Sequence, residues 1–169
     1  LRHDLVTQVP SLKKKYLKYE NFKNETITEI FTSEQLKEAI VLNAYQLSSV
    51  VLINQGTGKF TVRELPIEAQ SSPVYGIEIT DLDGDGKQDI LLGGNLYRAK
   101  PEVGRYDASY GTFLKGDGTG HFSSVSAKDS GIKIDGEVRD IVSIKRKDGD
   151  LLLISRNNDK LIAFKRHSK

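Results

Sequence analysis

The period of the apolar positions changes near residue 49. Before it, apolar residues recur three and four apart. Leu12, Tyr16 and Leu17 follow Pro10-Ser11 and predict a short helix, with Pro10 at or just outside its first turn. Ile27, Ile30 and Phe31 make one apolar helical face. Thr32-Ser33-Glu34-Gln35 then has the spacing of a capping box, in which Thr32 and Gln35 satisfy each other's backbone N–H groups. A helix from Ser33 puts Leu36, Ile40 and Leu47 on one side. Ile40, Leu42 and Ala44 also alternate as in a strand, and periodicity leaves both readings of residues 39–47 open.

After Ser49 the period is two. Val50-Val51-Leu52-Ile53 leads into Gln55-Gly56-Thr57-Gly58 and then Phe60 and Val62. Thr112-Phe113-Leu114 leads into Asp117-Gly118-Thr119-Gly120 and then Phe122 and Val125. Both read as hairpins closed by glycine turns. Residues 52–60 and 114–122 superimpose at an offset of 62. At that offset residues 76–80 fall on 138–142, and with one deletion Asp89-Ile90-Leu91-Leu92 falls on Asp150-Leu151-Leu152-Leu153. A period of about 60 residues carrying four short strands is the pattern of a propeller blade.

One blade is predicted in full, with strands over 75–80, 88–93, 110–115 and 121–126. Half a blade precedes it, and strands over 137–143, 150–155 and 161–165 begin another. The expected fold is mainly β. It is a partial β-propeller of two to three blades of four-stranded antiparallel sheet over residues 49–169, after a short helical N-terminal segment over 1–48. A closed propeller needs about four blades or more, so the expected partner is the rest of a longer polypeptide. The absence of methionine in the 169 residues agrees with a processed chain or a fragment.

Composition narrows the chemistry. The net charge of +2 gives no argument for nucleic acid. There is no cysteine, which excludes disulfides, thiol catalysis and Cys-based zinc sites. No apolar run reaches the 18 or so residues of a membrane span.

The informative stretch is Asp81-Leu82-Asp83-Gly84-Asp85-Gly86-Lys87-Gln88-Asp89. Two like charges at about 4 Å repel by roughly 4 kcal/mol at an effective dielectric near 20. Four converging carboxylates therefore call for a cation at their centre. Hard oxygen donors without His or Cys select calcium or magnesium, and a flexible loop suits calcium. The expected ligands are the side chains of Asp81, Asp83, Asp85 and Asp89 and the carbonyl of Lys87. An EF-hand is excluded, because it needs a glutamate at position 12 and helical flanks. Here that position is Leu92 and the flanks are β.

The D-x-D-G-D-G-x-x-D loop between strands, followed by the Asp117–Phe122 hairpin, resembles FG-GAP/VCBS repeats. These occur in integrin α-subunit propellers and in bacterial surface or secreted proteins. Residues 49–95, with Leu65-Pro66, Ala69-Gln70 and Gly94-Asn95, are similar to the C-terminal region of long VCBS-repeat proteins related to ASPIC/UnbV-type chains. The resemblance implies a structural Ca2+ in the loop joining the first two strands of a blade. It also implies an extracellular, cell-surface or periplasmic location in a bacterium. The next repeat departs from the pattern: Ser143, Lys145 and Lys147 stand at aligned ligand positions, so one metal site is expected.

No catalytic motif emerges. His3, His121 and His167 are scattered, and no P-loop, nucleophile elbow or zincin pattern is present. The segment 95–109 is too long for a hairpin turn. Its Tyr97, Arg98, Arg105, Tyr106 and Asp107 offer rings, donors and an acceptor, and form the candidate ligand-binding set. The alternative reading is that Arg105 and Tyr106 pack and pair against a neighbouring blade. The expected function is non-catalytic calcium-dependent binding or adhesion, to glycan or protein, at the cell surface. The runner-up is the accessory propeller of a secreted carbohydrate-active enzyme.

Overall fold

The computed structural model describes residues 2–147 and 149–165. The chain divides into two compact units, the first ending at Tyr45 and the second beginning at Gln46.

The first unit carries α1 (Arg2–Gln8), α2 (Leu12–Lys15), α3 (Ile27–Ile30) and α4 (Ser33–Lys37). The expected capping box is present: Gln35 N donates to Thr32 Oγ1 at 3.3 Å, and Thr32 N donates to Gln35 Oε1 at 2.9 Å. Tyr16 is buried, with the Phe22 ring edge-on at 5.4 Å and its hydroxyl donating to Glu25 at 2.7 Å. Helix α4 stops at Lys37, so Ile40 and Leu47 do not join its apolar face; they are 86% and 88% exposed. Residues 39–47 form no strand either. The β-branched pair Ile40-Val41 disfavours further helix, and among the described residues no strand pairs with the segment.

The second unit is built of antiparallel strands in three sheets. Strands β1 (Val50–Asn54) and β2 (Phe60–Glu64) form the first. The second has β3 (Val74–Thr80), β4 (Asp89–Gly94), β5 (Thr112–Gly116) and β6 (Phe122–Val125), paired in chain order. The third has β7 (Val138–Ile144), β8 (Leu151–Arg156) and β9 (Ile162–Lys165), again in chain order. The strands fall within two residues of their expected places, because alternating apolar positions and glycine turns mark both ends of each.

Strand β4 is buried along its whole length, and its alternation serves two cores. Ile90 and Leu92, with Leu114 and Ala69, face Leu65, Val74 and Phe122. Leu91 and Phe113 face Ile134, Val138, Ile141, Leu152 and Ile154 from the third sheet and its approach. Full burial of one such side chain stabilises by about 1.5–3 kcal/mol. The middle sheet is thus packed on both sides. Close approach is set by glycine: a Cβ at Gly93 would lie 2.7 Å from Val138, and one at Gly76 2.9 Å from Ile141. Tyr75, Ile77 and Ile79 on β3, and Val142 and Ile144 on β7, remain exposed.

Register corrects the alignment of the two successive β pairs. Both first strands have a register shift, between Val74 and Gly76 and between Val138 and Asp140. The ladders end at Thr80↔Asp89 and at Ile144↔Leu151. Val138 therefore matches Val74 rather than Gly76, and Leu151 rather than Asp150 matches Asp89. A slip of two residues in the first strand preserves the alternation, which is why the sequence pattern alone did not reveal it. The connection 145–150 is two residues shorter than 81–88.

Candidate functional site

The acidic loop spans the turn from β3 to β4. Gly84 and Gly86 sit at φ 88° and 83°, a left-handed conformation that a Cβ would strain, and they curl the loop inward. The aspartates also hold the backbone. Asp81 accepts from Gly84 N at 2.6 Å and from Gly86 N at 3.0 Å. Asp83 accepts from Asp85 N at 3.1 Å, and Asp85 from Lys87 N at 2.9 Å.

Asp89 anchors this arrangement. It is fully buried, and its two carboxylate oxygens accept from Leu82 N at 2.8 Å and Gly116 N at 2.9 Å. One side chain thus ties the start of the loop to the end of β5.

Asp81, Asp83 and Asp89 each bring a carboxylate oxygen within 4.8 Å of the others, a grouping that can hold a metal ion. Asp85, expected in the same set, turns toward Lys115 on β5. The Lys115 ammonium forms an ion pair with Asp83 and lies 3.0 Å from Asp85. Bonding to Asp83 and Asp85 raises the Lys115 pKa above the usual lysine value. Asp85 is held below the usual aspartate value, chiefly by Lys115 and then by Lys87 N–H. The donor set fits a hard cation: every donor is oxygen, and a positive group already rests on two of the carboxylates.

The corresponding connection after β7 is shorter and starts with basic residues, though it too has a glycine at positive φ, Gly149. Ser143, an aligned ligand position in the sequence reading, is inside β7, and its N–H donates to Glu78 at 3.2 Å. Lys145 takes the place that Asp81 takes after β3. Asp148 lies outside the described residues, as does His167.

The segment between β4 and β5 is held by backbone and side-chain contacts. Leu96 and Tyr106 form an antiparallel bridge, with N–O distances of 2.8 and 3.0 Å. The Arg105 guanidinium stacks on the Tyr97 ring at 4.5 Å. Tyr97 and Asp107 line a cleft of about 330 Å³ with Tyr110, Ser109, Asp135 and Asp159. Tyr106 and Arg98 are exposed and are not among the cleft residues. Tyr97 and Asp107 thus share a concavity, Arg105 stacks on Tyr97, and Tyr106 pairs with Leu96 through its backbone while its side chain stays exposed.

Two buried polar residues, Asn95 and Glu137, hold this region, a role the sequence does not show. Asn95, at φ 80°, donates to the carbonyls of Ser109 at 2.8 Å and Gly136 at 2.9 Å. It accepts from Ser109 N at 3.1 Å and Ser72 Oγ at 2.8 Å. Glu137 accepts from Tyr97 N at 2.7 Å and from Asn157 at 2.8 Å, and pairs with Arg139 at 3.1 Å. The Tyr97 N–H, then Asn157, hold its carboxyl below the usual glutamate range. The sequence carried a signal for Asn95 only: asparagine after Gly-Gly tolerates left-handed backbone.

Among the described residues no helix is long and apolar enough to cross a membrane. Comparison with family models, with curated proteins and with solved structures finds no match.

Proposed function

We propose that this chain is a calcium-stapled, non-catalytic segment of an FG-GAP/VCBS-type β-propeller, serving binding or adhesion at a bacterial cell surface. The observation that carries the reading is the convergence of Asp81, Asp83 and Asp89 in the β3–β4 turn, with Asp85 adjoining. Ca2+ would be held by these four side chains and the Lys87 carbonyl. When bound, it neutralises their mutual repulsion and cross-links the turn. The chain's own residues do the rest: Gly84 and Gly86 curl the loop, and Asp89 fixes it to β5.

The sheet packing supports the propeller part of the reading. The middle sheet has neighbours on both faces, and β3 and β7 leave apolar side chains exposed on their other faces. Further sheets of a longer polypeptide would cover them. The binding part is supported by the cleft at Tyr97, Asp107 and Tyr110, which joins ring surfaces to carboxylates in the manner of a glycan or protein contact.

Extracellular calcium modules bind at roughly 0.1–1 mM. Calorimetric titration should give one calcium per chain in that range, and chelator should lower the melting temperature. Identical melts with millimolar calcium and with chelator would sink the structural-metal reading.

A further inference from the structure

Lys115 is remote from the acidic loop in sequence and adjacent to it in space. It sits on β5, between Leu114, which is buried in the core, and Gly116, whose N–H bonds Asp89. Strand alternation turns its side chain away from the Leu114 core. Its ammonium bonds Asp83 Oδ2 and lies 3.0 Å from Asp85 Oδ2. These are two of the carboxylates assigned above to calcium.

We propose that Lys115 is an internal competitor for the calcium site, so that metal binding is an exchange of one cation for another and Lys115 sets the site's affinity and selectivity. The inference rests on the calcium reading. An ammonium and a divalent ion drawing on the same Asp83 and Asp85 carboxylates repel each other strongly, so the ion's entry favours withdrawal of Lys115. Three effects follow. Calcium affinity is lower than the four aspartates alone would give. The loop keeps a counter-charge when calcium is scarce. A monovalent ion brings no more charge than the ammonium it would displace, so the site discriminates in favour of divalent ions.

The test is titration of the chain with CaCl2 and with NaCl, comparing wild type, Lys115→Gln and Lys115→Arg, with melts in chelator and in saturating calcium. Lys115→Gln should bind calcium about tenfold more tightly, because the competing charge is gone. It should also melt lower than wild type in chelator and level with it in saturating calcium. Lys115→Arg keeps the charge and should stay near wild-type affinity. Wild-type calcium affinity in Lys115→Gln would overturn the competitor role and leave the calcium reading intact. Absence of calcium binding in both wild type and Lys115→Gln would overturn both.

Discussion

The turn after β3 and the turn after β7 leave the sheets at equivalent places, yet one gathers carboxylates and the other opens on three basic residues. Residues 81–88 bring Asp81, Asp83 and Asp85 to the anchor Asp89, with left-handed Gly84 and Gly86. Residues 145–150 begin Lys145-Arg146-Lys147 and have two residues fewer. The contrast separates two jobs. Joining two strands of a sheet needs only a short polar connection. Gathering carboxylates needs extra length, glycines that bend the chain inward, and a buried anchor where the next strand starts.

The largest effect should come from that anchor. Asp89→Ala should destabilise the second unit by about 3 kcal/mol, since it leaves the buried N–H of Gly116 and the part-buried N–H of Leu82 without their partner. Asp150→Ala, just before β8, should stay within about 0.5 kcal/mol. Denaturant melts of the two variants measure the contrast directly, and equal losses would abolish it.

Calcium should discriminate nearly as well. Saturation at 100 times the dissociation constant should add about 2.7 kcal/mol. Asp83→Asn should remove most of that gain while leaving the chelated protein folded. Calorimetry reads the stoichiometry, and a second full-occupancy site would break the comparison.

Acid should act on the held carboxylates. Glu137 and Asp85 both titrate below their ordinary ranges. Their contribution is therefore complete above the unfolded values, about 4, and is lost as pH falls through the lower folded ones. Glu137→Gln should lower stability at neutral pH by about 1–2 kcal/mol and flatten the acid limb of a melting series. An unchanged acid limb would assign that loss to other carboxylates.

Smaller still should be the thermal effect of Tyr97→Ala with Arg98→Ala, about 0.5 kcal/mol or less. Binding to a glycan or protein partner should weaken in the same variant, and early unfolding would reduce the segment to packing. Last, Lys145→Asp with Lys147→Asp should create no measurable calcium binding in calorimetry. Acidity without the extra length, the inward bend and the buried anchor is not a site.

Much of the β architecture was legible because hairpin glycines and period-two alternation are local properties. The acidic loop was legible for the same reason, its aspartates lying within nine consecutive residues. The misreadings came where distant neighbours decide. Residues 39–47 carry apolar alternation but meet no ladder, so neither periodicity was realised. The slip between β3 and β7 is visible only in the ladder. The role of Lys115 has no local signal, since nothing in Phe113-Leu114-Lys115 shows that two aspartates lie within its reach. Arg105 reads either as a binding group or as a tie to a neighbouring blade; its stacking on Tyr97, within its own segment, is a contact that the sequence does not show.

Asn95 bears on how the protein ages. Deamidation of an asparagine requires the next backbone nitrogen to swing onto the side-chain carbonyl carbon and close a succinimide ring. At Asn95 both reactants are held: Leu96 N is engaged by the Tyr106 carbonyl, and the amide is bonded to Ser72, Ser109 and Gly136. The same contacts that join β4 to the segments around it keep this amide from reaching the cyclic geometry. This junction would keep its original chemistry for as long as the fold persists.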